Sequence, residues 1–84
     1  MGKHDKTLAK LLSGTADSNI AFADLVNLLV AKGFLIRQGG GSHVIATRDG
    51  VRDRITLQPD GSKAKSYQVR QIRNVFLNHP ELLR

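Results

Sequence analysis

The chain lacks cysteine and tryptophan altogether, and it contains only two prolines among its 84 residues. Without thiols, neither a disulfide framework nor a thiolate metal site can support the fold, which is typical of a protein of the reducing cytoplasm. The three histidines, His4, His43 and His79, lie far apart and show no spacing typical of metal ligands. Nothing in these residues therefore indicates a zinc site.

Long apolar runs are also missing. The longest weakly polar stretch, Asn19 to Ala31, contains Asp24 and Asn27, and it is well short of the roughly 20 residues that a membrane-spanning helix requires. No segment resembles a targeting signal. We expect a cytoplasmic protein without a membrane partner.

Acidic residues are outnumbered by basic ones, seven against thirteen, which gives a formal net charge of +6. Clustered basic charge on a small domain is typical of a protein that binds a phosphate backbone, although a solvated face or a dock for an acidic protein would look the same. With three Phe and one Tyr, no aromatic platform for single strands is predicted. The basic cluster comprises Arg48, Arg52, Arg54, Lys63, Lys65, Arg70 and Arg73, against Asp49, Asp53 and Asp60.

Residues 1–18 form a polar N-terminal extension ahead of a single domain over residues 19–84. Within the extension, Asp5 can cap a short helix whose apolar face includes Leu8, Leu11 and Leu12, and Gly14 can end it. A partly ordered tail is the alternative.

Hydrophobic periodicity in residues 19–84 predicts a helix, three antiparallel strands and a closing helix. This order predicts a two-layer α+β domain with both helices on one face of the sheet, the arrangement of double-stranded RNA-binding domains. The predicted elements are a helix from Phe22 to Lys32 capped by Gly33; strands Phe34–Gln38, Ser42–Arg48 and Val51–Leu57; a loop Gln58–Lys65; and a helix from Tyr67 to Asn78 with Ser66 as its N-cap.

A glycine run, Gly39 to Gly41, delivers Ser42 and His43 to the start of the second strand. Glycine allows close approach of the backbone to a ligand, and an imidazole with a pKa of about 6.5 can move protons at neutral pH. An ordinary strand histidine after a glycine hairpin is the other interpretation. If Ile45 points to the core, His43 lies on the same side; if Val44 and Ala46 point inward, His43 lies on the open face.

Short motifs follow one another at characteristic spacings, from the first helix of the domain to the hairpin turn. With the basic loop and closing helix behind them, they resemble the HicA family, the toxin component of type II toxin–antitoxin systems, over roughly Asn19 to Leu77. The motifs are Asp24-Leu25-Val26-Asn27-Leu28-Leu29, Gly33-Phe34, Arg37, Gly41-Ser42-His43 and Asp49-Gly50.

The resemblance implies a small toxin that cleaves messenger RNA, has a fold like that of double-stranded RNA-binding domains, and is held inactive by a HicB antitoxin. It implies that His43 is the catalytic residue and that neither a metal nor a cofactor is used. Many relatives have a second histidine after the third strand, where this chain has Leu57-Gln58-Pro59. The general acid is therefore unassigned.

The mechanism we expect is that neutral His43 accepts the proton of an RNA 2′-hydroxyl, which attacks the neighbouring phosphate. Cations and N–H groups of the glycine loop would stabilise the charged intermediate. A non-catalytic RNA-binding module and a protein that only docks an acidic partner are the competing functions. The oligomeric state stays open, a hetero-oligomer with the antitoxin included. The predicted RNA contacts are Arg37, Gly41, Ser42, Lys63 and Lys65, followed by Arg70 and Arg73.

Overall fold

A computed structural model describes residues 2–41 and 43–83 of the chain. Ser42, one of the predicted RNA contacts, lies outside the described residues. In chain order, the elements are α1 (Lys3–Ser13), α2 (Phe22–Ala31), β1 (Leu35–Gln38), β2 (Val44–Arg48), β3 (Val51–Leu57), β4 (Pro59–Asp60), β5 (Lys63–Ala64), α3 (Ser66–Asn78) and a 3₁₀ helix (Pro80–Leu83).

Helix α2 forms where the apolar periodicity predicts it, and it buries Leu25, Leu28 and Leu29. At its end the chain turns through Gly33, whose φ of 89° is in the left-handed region. The Gly33 N–H donates to Val30 O and the next N–H, of Phe34, donates to Leu29 O, both at 3.0 Å. This paired closure satisfies two carbonyls of the last turn, and it confirms Gly33 as the residue that ends the helix.

Strands β1, β2 and β3 form the predicted antiparallel meander in the order β1-β2-β3. Ala46 pairs with Ile36 on one side and with Ile55 on the other. Ala46 and Ile55 are fully buried. Val44 and Ala46 therefore face the helices, and Ile45 points to the opposite side.

The two helices α2 and α3 pack on the buried face of the sheet, which confirms the predicted α+β architecture. One continuous apolar cluster fills the space between the layers, so the opposite face of the sheet is uncovered in the described structure. The buried apolar residues are Leu11, Ile20, Leu25, Leu28, Leu29, Phe34, Ala46, Val51, Ile55, Leu57, Ala64, Val69, Ile72, Val75, Phe76 and Leu82.

The stretch from Gln58 to Lys65 was predicted to be a loop, and this is wrong for its middle part. Strands β4 and β5 pair as a short hairpin, and the chain ahead of α2 joins them through an isolated bridge between Ala21 and Lys63. The N–H of Ala64 donates to Ile20 O at 2.9 Å. The hairpin depends on this distant segment, so local turn signals alone do not predict it.

Two helix starts also differ from the predictions. Helix α1 begins at Lys3, and Asp5, predicted as its cap, instead lies inside the helix and accepts the Gly2 N–H at 3.1 Å. Helix α3 includes Ser66, and Lys65 is its N-cap residue without a side-chain capping bond. Gly14 ends α1 with a φ of 72°, as predicted.

The N-terminal extension is packed rather than frayed. Leu11 of α1 is fully buried and Ile20 nearly so, and α1 contacts both α2 and α3. The helix, not the partly ordered tail, is therefore the correct interpretation. No helix within residues 2–41 and 43–83 is long and apolar enough to cross a membrane.

Candidate functional site

His43 is held at the tip of the glycine loop by hydrogen bonds to that loop. Its backbone N–H donates to Gly40 O at 3.2 Å, and its backbone carbonyl accepts the Gly39 N–H at 2.8 Å. The ring atom Nδ1 lies 2.9 Å from the same carbonyl oxygen of Gly40. A carbonyl oxygen only accepts, so Nδ1 carries the hydrogen and Nε2 of the neutral ring carries the free lone pair.

Gly39 makes room for this histidine. A Cβ atom at residue 39 would lie 3.3 Å from His43 Cβ and 3.5 Å from Ile45 Cδ1. Both of these neighbours lie on the same side of the Gly39 backbone, which places His43 and Ile45 on one face of the sheet. Since Ala46 points inward, the structure decides the question that the sequence left open: His43 lies on the face opposite the helices.

We call this side of the sheet the open face. It comprises the outward residues of the three strands together with His43. Their pairing follows from the register, in which Leu35 is opposite Thr47 and Ile45 lies between Arg37 and Thr56. The outward strand residues are Leu35, Arg37, Ile45, Thr47, Arg52, Arg54 and Thr56, and they include three arginines and no carboxylate.

Arg37 lies on this face, on the strand next to that of His43. Arg54 lies there too, on β3, and it was not among the predicted contacts. The sequence does indicate the outward position of Arg54, because Arg54 alternates with the buried residues Ile55 and Leu57. Within the described residues, neither arginine side chain has a hydrogen bond or an ion pair, so both guanidinium groups can bind a ligand.

Gln58 connects the open face to the start of α3. Val44 pairs with Leu57, so continuing the register places Gln58 beside His43. The Gln58 N–H donates to Oε1 of the buried Gln68 at 2.8 Å, and Lys65 Nζ donates to Gln58 Oε1 at 3.4 Å. The ammonium group of Lys65 therefore lies at the same end of the sheet as His43.

Lys63 is directed elsewhere, although only one residue separates it from Lys65. Its Nζ donates to Asn19 Oδ1 at 3.0 Å, and Lys10 Nζ donates to the Asn19 backbone carbonyl at the same distance. These contacts lie beside the N-terminal extension. The structure brings Lys65, and not Lys63, to the His43 end of the sheet.

The two arginines predicted to share the outer side of α3 differ in their surroundings. Arg70 is exposed. Arg73 Nη1 donates to Asp17 Oδ1 at 2.7 Å and to Leu11 O at 3.2 Å, and its Nη2 donates to Asp17 Oδ2 at 3.2 Å. The hydrogen bonds from Arg73 hold the pKa of the Asp17 carboxyl below its usual value. Arg73 thus joins the extension to α3. This ion pair gives the positive charge of Arg73 a structural role that does not involve RNA.

Among the described residues, no three His, Asp or Glu side chains are placed to hold a metal ion. His79 comes nearest to such a group, with Nε2 3.6 Å from Asp53 Oδ2 and Nδ1 3.7 Å from Glu81 Oε2. This cluster lies where β3 meets the C-terminal 3₁₀ helix, on the helix side of the sheet. It is separate from His43.

The fold and the site define a small two-layer α+β protein with one oriented histidine on a basic, uncovered sheet. The family model of the HicA toxin of bacterial toxin–antitoxin systems matches residues 22–79. The chain therefore belongs to the HicA toxin family, and it is a toxin of a toxin–antitoxin system. The match begins at the first residue of α2, so α1 lies outside it. No curated protein and no solved structure matches the chain significantly.

Proposed function

We propose that the protein is an endoribonuclease that cleaves messenger RNA without a metal ion, with His43 as the general base. The observation that supports this most directly is the bond between Nδ1 and Gly40 O at 2.9 Å. It leaves Nε2 as the proton acceptor on a face that RNA can reach. A backbone carbonyl that fixes the tautomer is the usual way of preparing a histidine base.

RNA supplies its own nucleophile, so the reaction needs little machinery. His43 Nε2 takes the proton of a 2′-hydroxyl, the 2′-oxygen bonds to the adjacent phosphorus, and the bond from phosphorus to the 5′-oxygen breaks. The 5′-oxygen leaves with a proton from water. The products are a 2′,3′-cyclic phosphate and a free 5′-hydroxyl. A positioned base contributes on the order of 10²–10⁴ in rate.

The cations that would stabilise the charged phosphate are those gathered around His43. Arg37 lies on the neighbouring strand, and Lys65 is held at the same sheet end by Gln58. Arg54 extends the basic surface on β3. Gly41, whose φ of 62° forms the turn, places a backbone N–H in the same loop. These groups carry the positive charge that phosphate contacts require.

We also propose that the antitoxin partner, a HicB-like protein, covers the open face and His43 together. Blocking the base and the basic surface at once silences both RNA binding and cleavage. An acidic partner surface would complement the unpaired arginines of this face.

The experiment that tests the proposed function compares His43→Ala with His4→Ala, a control at an exposed histidine on α1. RNA is incubated with each purified protein, with and without a chelator, and cleavage, cyclic phosphate ends and circular dichroism are recorded. We expect His43→Ala to lose on the order of 10²-fold or more in cleavage rate and to stay folded. His4→Ala should cleave like the original protein.

Undiminished cleavage by His43→Ala would overturn the assignment of the base. Sensitivity to the chelator would overturn the metal-independent mechanism. Tight RNA binding by the original protein without any cleavage would establish the non-catalytic RNA-binding module instead. No RNA affinity at physiological salt would favour a protein that only docks an acidic partner.

A further inference from the structure

A pocket of about 360 Å³ opens at the far end of the sheet from His43. It lies between the start of β1 and the end of β2, and its lining residues are Gly33, Leu35, Thr47, Arg48 and Asp49. Its volume is at the lower end of the range for small-molecule sites. Nothing in the proposed cleavage reaction uses it.

The two charged side chains of the pocket have no partners in the described structure. Neither Arg48 nor Asp49 makes a side-chain hydrogen bond or an ion pair there, even with each other. The Arg48 side chain passes close to Gly33, since its Nε would lie 3.2 Å from a Cβ atom built at that residue. The absence of a side chain at Gly33 lets the arginine pack against the backbone at the end of α2. The pocket therefore presents a set of donors beside a set of acceptors, both available to a ligand.

Leu35 adds an apolar wall. Its exposed fraction of 68% is the largest among the exposed large hydrophobic residues of the described chain. Leu35 and Thr47 are cross-strand partners on the open face. An exposed aliphatic side chain beside unpaired polar groups suits a flat ring with a polar edge.

The pocket is continuous with the open face. From His43 to Thr47, strand β2 covers four steps, a distance of roughly 13 Å. Arg37 lies between the two ends on the neighbouring strand. One short RNA strand can therefore contact His43 and the pocket together.

We propose that this pocket binds an RNA base, and that guanine is the base that satisfies it. The guanidinium group of Arg48 can donate to O6 and N7 of guanine, and the carboxylate of Asp49 can accept from N1–H and the exocyclic amine. Leu35 would cover the ring face. Adenine has no acceptor at the position of O6, and neither pyrimidine has both edges. The inference rests on the proposed function for its biological meaning, because it makes the pocket a specificity subsite of the ribonuclease.

Binding of single nucleotides tests the pocket without any cleavage. The full chain carrying His43→Ala, labelled with ¹⁵N, is titrated with GMP, AMP, CMP and UMP, and amide shifts are followed by NMR. We expect GMP to shift the amides of Leu35, Thr47 and Asp49 with the highest affinity. Adding Arg48→Ala or Asp49→Asn should weaken GMP binding by about tenfold, as for loss of a bidentate base contact.

The control is Lys6→Ala, which removes an exposed cation of α1 that does not line the pocket. It should leave the affinity for GMP unchanged. The absence of amide shifts at the pocket with every nucleotide would overturn the proposal. Equal shifts with all four nucleotides would also overturn it, because they would show phosphate binding without base selection. These outcomes are separate from those for His43, because failure of the original protein to cleave RNA would leave the GMP result unaffected.

Discussion

At His43, a single hydrogen bond determines which ring nitrogen can take a proton. The acceptor is a carbonyl of the glycine loop itself, only three residues away. The orientation of the imidazole therefore depends on local backbone geometry rather than on a distant side chain. Small changes in the loop should change activity more than they change stability.

Gly39 and Gly40 offer a test of this dependence. In Gly39→Ala, the new Cβ would crowd His43 Cβ at 3.3 Å, whereas a Cβ at Gly40 would meet no atom within 4 Å. We expect Gly39→Ala to lose roughly tenfold in RNA cleavage rate, because small displacements of a catalytic group are costly. Gly40→Ala should remain close to the original protein, with thermal unfolding recorded for both. Equal activities of the two variants would contradict a positioning role for Gly39.

At the scale of elements, the β4–β5 hairpin separates two lysines that the sequence presents as equivalent. The bridge between Lys63 and Ala21 ties β5 to the chain ahead of α2. Lys63 is thereby directed to Asn19, while Lys65, at the start of α3, reaches Gln58. Of these two lysines, only Lys65 lies at the His43 end of the sheet.

Lys65→Ala and Lys63→Ala should therefore differ in effect. We expect Lys65→Ala to lower the RNA cleavage rate on the order of tenfold, because in the proposed mechanism this cation stabilises the reacting phosphate. Lys63→Ala should lower it much less, although both variants lose one positive charge. The measurement is the cleavage rate under single-turnover conditions at one fixed salt concentration. A larger loss for Lys63→Ala would contradict the assignment.

For the whole molecule, the N-terminal extension is part of the packed structure. Leu11 is buried in the common apolar cluster. The bidentate pair between Arg73 and Asp17 joins the loop after α1 to α3, and Arg73 also caps a carbonyl of α1. Removing the pair should loosen α1 and lower the stability of the whole chain.

The stability lost in Asp17→Asn should depend on pH. The hydrogen bonds from Arg73 lower the pKa of Asp17 in the folded protein, so the pair stabilises the fold above the unfolded value of about 3.9. This contribution is lost as the pH falls through the folded pKa. We expect the Tm of Asp17→Asn to lie below that of the original protein at pH 7, and the gap to narrow as the pH falls below the unfolded pKa towards the lowered folded pKa.

The control for this pair is Asp60→Asn, which removes an exposed carboxylate of β4. Its Tm at neutral pH should be close to that of the original protein. If Asp17→Asn unfolded at the same temperature as the original protein at pH 7, the pair would contribute nothing to stability.

Much of the fold could be predicted because its signals are local. The apolar spacing of α2, the left-handed turn at Gly33 and the alternation of β3 each involve neighbouring residues, and all three agree with the structure. The hairpin within residues 58–65 could not be predicted in the same way. It pairs with the chain near Ala21, and such long-range pairing leaves no periodicity in either segment.

The sequence by itself determined the order of the elements, the glycine loop, the position of His43 within it and the family. The tertiary structure decided which side of the sheet is covered. Alternation along a strand defines two faces, but only packing against α2 and α3 selects the buried one, and the burial of Ala46 places His43, Arg37 and Arg54 on the other. The tertiary structure also decided which basic residues are paired and which are not. Contacts between distant segments pair Arg73 with Asp17 and leave Arg48 available in its pocket.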